Sequence, residues 1–182
     1  MEATQTKTQW AIDPVHSEIQ FKVKHMVIST VTGQFERFSG SAENEGDDFE
    51  GATVTFEADV NSINTRNSDR DAHLKSDDFF NAEKYPKITF KSKSFTKVGD
   101  DSYKLVGDLT IRDVVKEVTL DVEYGGKVDN DGYGNVKAGF EVTGKISRKD
   151  FGLKWNGVTE AGQIIVSDEV KLLLNVQFAK VS

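Results

Sequence analysis

The densest set of side chains able to do chemistry lies at Arg66, Asp69, Arg70, Asp71, His73, Lys75, Asp77 and Asp78. Two readings fit these residue types. In one, Arg66, Arg70 and His73 stand beside an anion or a ligand head group. In the other, the stretch is a solvated helix laced by local ion pairs such as Asp69 with His73 at i,i+4. Charge density by itself favours the second. The three histidines, His16, His25 and His73, make a three-His metal site conceivable. No two of them have the local spacing of ligands, and no HExxH motif occurs. Histidines that cap or hydrogen-bond near strand ends are the simpler account. Nucleophilic catalysis by a Ser–His–Asp set finds no G-x-S-x-G elbow. There is no GxGxxG and no P-loop to cradle a nucleotide. A glycosidase-type carboxylate pair cannot be picked out of 30 acids, because some must lie close together by number alone.

Composition narrows the rest. The 182 residues suit one domain. Lys and Arg total 23 against 30 Asp and Glu, a formal charge of −7, which argues against binding driven by phosphate neutralisation. With no cysteine there are no disulfides, zinc fingers, Cys-ligated clusters or thiol nucleophiles. No stretch has the roughly 18 apolar residues of a membrane-spanning helix. Residues 1–9 are polar throughout and read as a flexible tail, with residues 10–182 forming a single domain. The tail lacks the apolar stretch of a secretory signal. The sequence as it stands therefore reads as cytoplasmic, with a periplasmic form whose signal has been removed as the alternative.

The elements that must position these groups are strands. Twelve Phe, 15 Gly and only two Pro favour strands and turns. Apolar residues recur at every second position in Ile19–Val23, Val54–Val60, Tyr103–Ile111, Val118–Tyr124, Ala138–Ile146 and Val170–Phe178. That alternation marks strands with one buried face. Turn residues separate the runs at 45–48, 99–101 and 129–135, and Gly125-Gly126 reads as a bulge. About eight strands result, the signature of a sandwich or barrel. Asn67–Ser76 breaks the alternation. Ser68 followed by Asp71 resembles a capping box, predicting a short helix over Asp69–Ser76. Asn81–Lys84, ended by Tyr85-Pro86, is a second helix cue. An eight-stranded barrel either fills with side chains or encloses one small ligand. Residue types lean toward the solid core, long strands with little to cover them lean toward the cavity, and periodicity alone does not decide.

Several segments taken in order carry a resemblance. They are Trp10-Ala11-Ile12-Asp13-Pro14-Val15-His16-Ser17, Phe21–Met26, Gly33-Gln34-Phe35, Arg70–Phe80, Tyr85–Phe90, Gly107–Ile111 and Ser147-Arg148-Lys149-Asp150-Phe151-Gly152. The chain resembles the YceI-like family of bacterial proteins over roughly Trp10 to Phe178. The resemblance implies an all-β fold, a lipocalin-like eight-stranded antiparallel β-barrel with one or two short helices and a deep apolar pore. It also implies binding of a polyisoprenoid or other long-chain amphiphile, with export to the periplasm for many members and dimers for some. Where the family pattern after Ile111 has a Gly, this sequence has Arg112-Asp113.

On this reading the protein is a carrier or store, not an enzyme. Its partner is a small-molecule lipid, no nucleic acid is involved and no cofactor is required. A bound polyisoprenoid or quinone-like lipid is the expected occupant, and a homodimer is one expected assembly. The expected pore lining is Phe21, Val23, Phe35, Phe56, Ala58, Phe90, Leu109, Leu120, Phe140, Val142, Leu172 and Leu174. The expected polar mouth is His25, Arg66, Arg70 and His73. Asp13 and Asp71 are expected to hold loops through hydrogen bonds. The alternative is an enzyme acting on such a lipid, with His73 or His25 as a base near the mouth.

Overall fold

Alternating strands with turn residues between them predict a meander, and a meander is what the chain forms. The computed structural model describes residues 7–25, 28–46, 48–153 and 166–181. The strand segments are β1 (Lys7–Ile12), β2 (Glu18–His25), β3 (Ser29–Phe35), β4 (Phe38–Glu45), β5 (Thr53–Asp59) and β6 (Ile63–Asn64). They continue with β7 (Lys87–Lys97), β8 (Ser102–Ile111), β9 (Val114–Val128), β10 (Lys137–Ser147) and β11 (Val166–Lys180). Three pairs of segments run on as interrupted strands: β1 into β2, β3 into β4, and β5 into β6. Eight antiparallel staves result, each paired with its neighbour in sequence. The last closes on the first, because β11 pairs with β2 through Leu172↔Phe21 and with β1 through Ile12↔Phe178. Closure leaves far less free strand edge than an open sheet of this size would.

The alternation sets which face points inward. Gly125-Gly126 is a bulge: Gly139 faces Gly126 while Phe140 faces Tyr124, leaving Gly125 extra. Gly126 takes φ +117. Two inward glycines are fixed by close packing. Phe21 lies flat across Gly33 on the neighbouring stave, so a Cβ there would fall 2.3 Å from the ring tip. At Gly107 a Cβ would meet the Lys91 carbonyl oxygen at 2.5 Å and Phe90 at 2.6 Å.

One helix is present among the described residues, α1 (Ser68–Lys75), in the link between β6 and β7. Its cap is Asn67, whose side chain accepts from Arg70 N at 3.0 Å, not Ser68 with Asp71 as the capping-box pattern suggested. Asp71 is drawn away by Thr65, from which it accepts both N–H (2.9 Å) and hydroxyl (2.5 Å) bonds. The cue at Asn81–Lys84 produces turns instead of a helix. Asn81 O accepts from Lys84 N and Tyr85 N, and Pro86 stops the segment. Short 3-10 turns occur at Pro14–His16, Val60–Ser62 and Arg148–Phe151. Three residues expected in the flexible tail lie instead in a strand. Lys7, Thr8 and Gln9 pair with Glu45, Asn44 and Glu43, because β4 is long enough to carry β1 out past Trp10.

Candidate internal cavity

The inward faces surround a cavity of about 230 Å³. Eleven of the twelve residues expected to line a pore stand on its wall: Phe21, Phe35, Phe56, Ala58, Phe90, Leu109, Leu120, Phe140, Val142, Leu172 and Leu174. Val23 does not. It pairs with Val31 and with Val170, which does stand on the wall, two residues from the end of β2. Alternation gave Val23 the inward face but did not decide whether it reaches the cavity.

Residues outside the strand pattern reach into both ends of the barrel. At the end formed by the β4–β5, β7–β8 and β9–β10 turns, Phe49 reaches in from the β4–β5 loop. Its ring lies 5.6 Å from Trp10, 5.3 Å from Tyr124 and 5.1 Å edge-on from Phe140. The polar rims of this plug are satisfied. Trp10 Nε1 donates to Asn44 Oδ1 at 2.8 Å, and Asn44 Nδ2 donates to Asp48 O at 3.1 Å. Tyr103 OH donates to Asp48 Oδ1 at 2.9 Å, which also accepts from Glu50 N. Burial first, and then this bond to Asp48, pushes the Tyr103 phenol up to about 12. The Glu50 N–H, followed by Tyr103, holds the Asp48 carboxyl below its usual range.

At the opposite end the α1 link crosses the barrel and supplies Leu74, Phe79 and Phe80 to the cavity wall. Phe80 meets Phe35 edge-on at 6.3 Å. Arg112 pins the link from the β8–β9 turn. It donates to Asp77 Oδ1 (3.1 Å) and Phe79 O (3.2 Å) and lies over the Tyr85 ring. Arg112 takes φ +57, where the family resemblance leads one to expect Gly. These ties offset the cost of holding a side chain there.

Arg148, which sequence reasoning did not assign to the site, also stands on the cavity wall and is only 3% exposed. It donates to Leu153 O (2.7 Å), Val166 O (3.0 Å) and Ser167 O (2.8 Å), so it joins the two ends of the β10–β11 connection. Desolvation lowers its pKa, opposed by Asp168. The signal was present: Arg148 continues the inward parity of Phe140, Val142, Gly144 and Ile146. Phe49 had a weaker signal, a lone aromatic in an acidic loop.

The expected polar mouth disperses. Arg70 folds back on its own loop, with Nε on Thr65 Oγ1 (2.8 Å) and Nη2 on Thr65 O (2.6 Å). His73 Nε2 lies 2.8 Å from Asp78 Oδ2, not beside Asp69, and its ring packs edge-on against Phe79. Arg66 is exposed in a left-handed turn, φ +64. None of these three stands on the cavity wall. The backbone of His25 closes β2 against Ser29, and its side chain lies outside the described residues. Arg66 and Arg70 instead share a second, polar groove with Asn64 and Thr65. Asp13 does hold its loop. It accepts from Val15 N (3.0 Å), faces His16 Nδ1 (2.8 Å) and pairs with Lys137, and Lys137 first and His16 second lower its pKa strongly.

A closed, up-and-down barrel of eight staves around an apolar cavity is a lipocalin-like architecture. This chain belongs to the YceI-like family, whose domain model matches residues 10–178. UPF0312 protein SA2479 from Staphylococcus aureus is 38% identical over 172 residues, covering 94% of this chain and 98% of the relative. The Campylobacter jejuni YCEI protein, solved as a crystal structure, superposes with a TM-score of 0.72 at 32% identity, over the whole of both chains. A domain from Saccharophagus degradans, described as polyisoprenoid binding, shares the fold with a TM-score of 0.66 at 16% identity, covering 98% of this chain and 100% of that one.

Proposed function

We propose that this protein binds an isoprenoid or similarly amphiphilic lipid by its apolar tail inside the barrel, as a carrier or store and not as an enzyme. The observation that carries the reading is the cavity itself, walled mostly by Phe, Leu, Ile and Val. Each methylene taken from water into such a space is worth about 0.8 kcal/mol, offset in part by ordering the tail. The polyisoprenoid-binding description of a protein with the same fold supports the ligand class. Against catalysis by His73, its ring lies off the cavity wall.

The volume limits the tail. An apolar cavity of about 150 Å³ takes one benzene. At about 230 Å³, this one accommodates about two isoprene units in the conformation described. A longer tail requires the barrel to widen or the chain end to protrude. Native mass spectrometry before and after organic extraction tests the reading, followed by uptake of prenyl alcohols of increasing length. Bound lipid that is lost on extraction, with re-uptake of a ten-carbon alcohol, is the expected result. An unchanged mass together with no uptake of any prenyl compound sinks the proposal.

A further inference from the structure

The second groove, of about 600 Å³, touches five successive residues of one strand, Thr30 to Gln34. Successive strand residues point to opposite faces. A groove reaching all five must therefore run along the strand's edge. In a closed barrel an edge is accessible only where the neighbour has departed. Among the described residues that is the case here: β3 pairs with β2 along its whole length, but with β6 only at Gln34 and Phe35. Residues 30–33 thus border a slot in the wall, at the α1 end of the barrel.

The slot adjoins the cavity. Gln20 borders both spaces, and inward-facing Gly33 sits directly behind the Phe21 ring that lines the cavity. Its chemistry is the opposite of the cavity's. The far side carries Asn64, Thr65, Arg66 and Arg70, and no carboxylate lines it, in a chain with net charge −7. The Arg66 backbone is fixed, its N–H donating to Asn64 Oδ1 at 2.9 Å, while Asn64 Nδ2 is held by Glu36. Among the described residues no side chain meets the Arg66 guanidinium. The Arg70 guanidinium is held by two bonds to Thr65, which leave its other Nη without a bond among the described residues. One oriented guanidinium, Arg70, with the exposed Arg66 side chain beside it and threonine hydroxyls and glutamine amides along the groove, makes a donor-rich site for an oxyanion.

We infer that this slot is the head-group site of the bound lipid, and that it selects a phosphate- or carboxylate-bearing amphiphile over a neutral one. The inference rests on the apolar-tail reading above. Titration calorimetry on the full chain, freed of bound lipid, separates the two. Geranyl diphosphate, geraniol and inorganic pyrophosphate serve as probes, since the ten-carbon tail matches the cavity. Geranyl diphosphate is expected to bind at least about tenfold tighter than geraniol, the scale of one charge-assisted hydrogen bond. The ratio of those two affinities is expected to collapse in Arg66→Gln and to recover partly in Arg66→Lys, which keeps the charge without the fork. Equal affinity for the diphosphate and the alcohol in the wild type overturns the inference, as does a ratio unchanged in Arg66→Gln. Pyrophosphate binding as tightly as geranyl diphosphate also overturns it, by making the slot a free-anion site. If neither prenyl probe binds, it is the apolar-tail reading that fails.

Discussion

Asp13 shows how a single group couples the outer wall to pH. Its carboxyl is held far below the ordinary 3.8 by the Lys137 ammonium and by His16, and its side chain is only 14% exposed. A pKa lowered by folding stabilises the fold above the unfolded value, and the contribution is lost as pH falls through the folded value. Asp13→Asn is therefore expected to lower the urea midpoint at pH 7. The gap from wild type should shrink as pH drops below about 4. A gap that stays constant down to pH 2 contradicts the pairing. Gly107 is a steric case. Any Cβ there collides with the backbone of β7, so Gly107→Ala should cost about 1–3 kcal/mol of stability in denaturant titrations. A neutral result would mean that β7 and β8 can part without loss.

The α1 helix is held by ties instead of by a buried face. None of residues 68–75 is fully buried, and Leu74 is the helix's one contribution to the cavity wall. Its position depends on the Asn67 cap, the Asp71 and Arg70 bonds to Thr65, and the Arg112 clamp from the β8–β9 turn. Asn67→Ala should cost about 1 kcal/mol, while Asn67→Asp, which keeps the accepting oxygen, should cost little. Thermal melts of the two variants compare them directly. Arg112→Ala is expected to loosen the whole link, seen as faster amide hydrogen exchange at residues 77–82. Unchanged exchange there would show that Phe79 and Phe80 anchor the segment unaided.

Across the whole molecule the barrel keeps a void where close packing is the rule. A natural interior that leaves about 230 Å³ unfilled forgoes contacts, and enlarging one wall residue should recover some of them. Val142 is buried mid-stave, opposite Val122 and Leu174. Val142→Phe is expected to abolish uptake of prenyl alcohols while leaving the melting temperature equal or higher. Retained uptake would place the ligand outside the barrel.

Six of the strands, their inward faces and the bulge at Gly125-Gly126 were legible without the fold, because side-chain parity and glycine placement are local properties of the chain, whereas β1, β3 and β4 carry no such alternation and were not. All six alternating runs place residues on the cavity wall. The sequence could not say that Val23 stays off the wall on which its partner Val170 stands. Nor could it tell a filled barrel from a hollow one. That depends on how far Phe21 and Phe90 lie down over the glycines of neighbouring staves, and on Phe49 and Phe80 entering from loops whose direction no periodicity encodes. The charged cluster at 66–78 was legible as a cluster, but its partners were not. Hydrogen bonds turned Arg70 and Asp71 onto Thr65 and His73 onto Asp78, and the departure of β6 from β3 left Arg66 beside an open slot. Those outcomes belong to the tertiary structure, since pairing register and chain path decide which of many nearby charges meet.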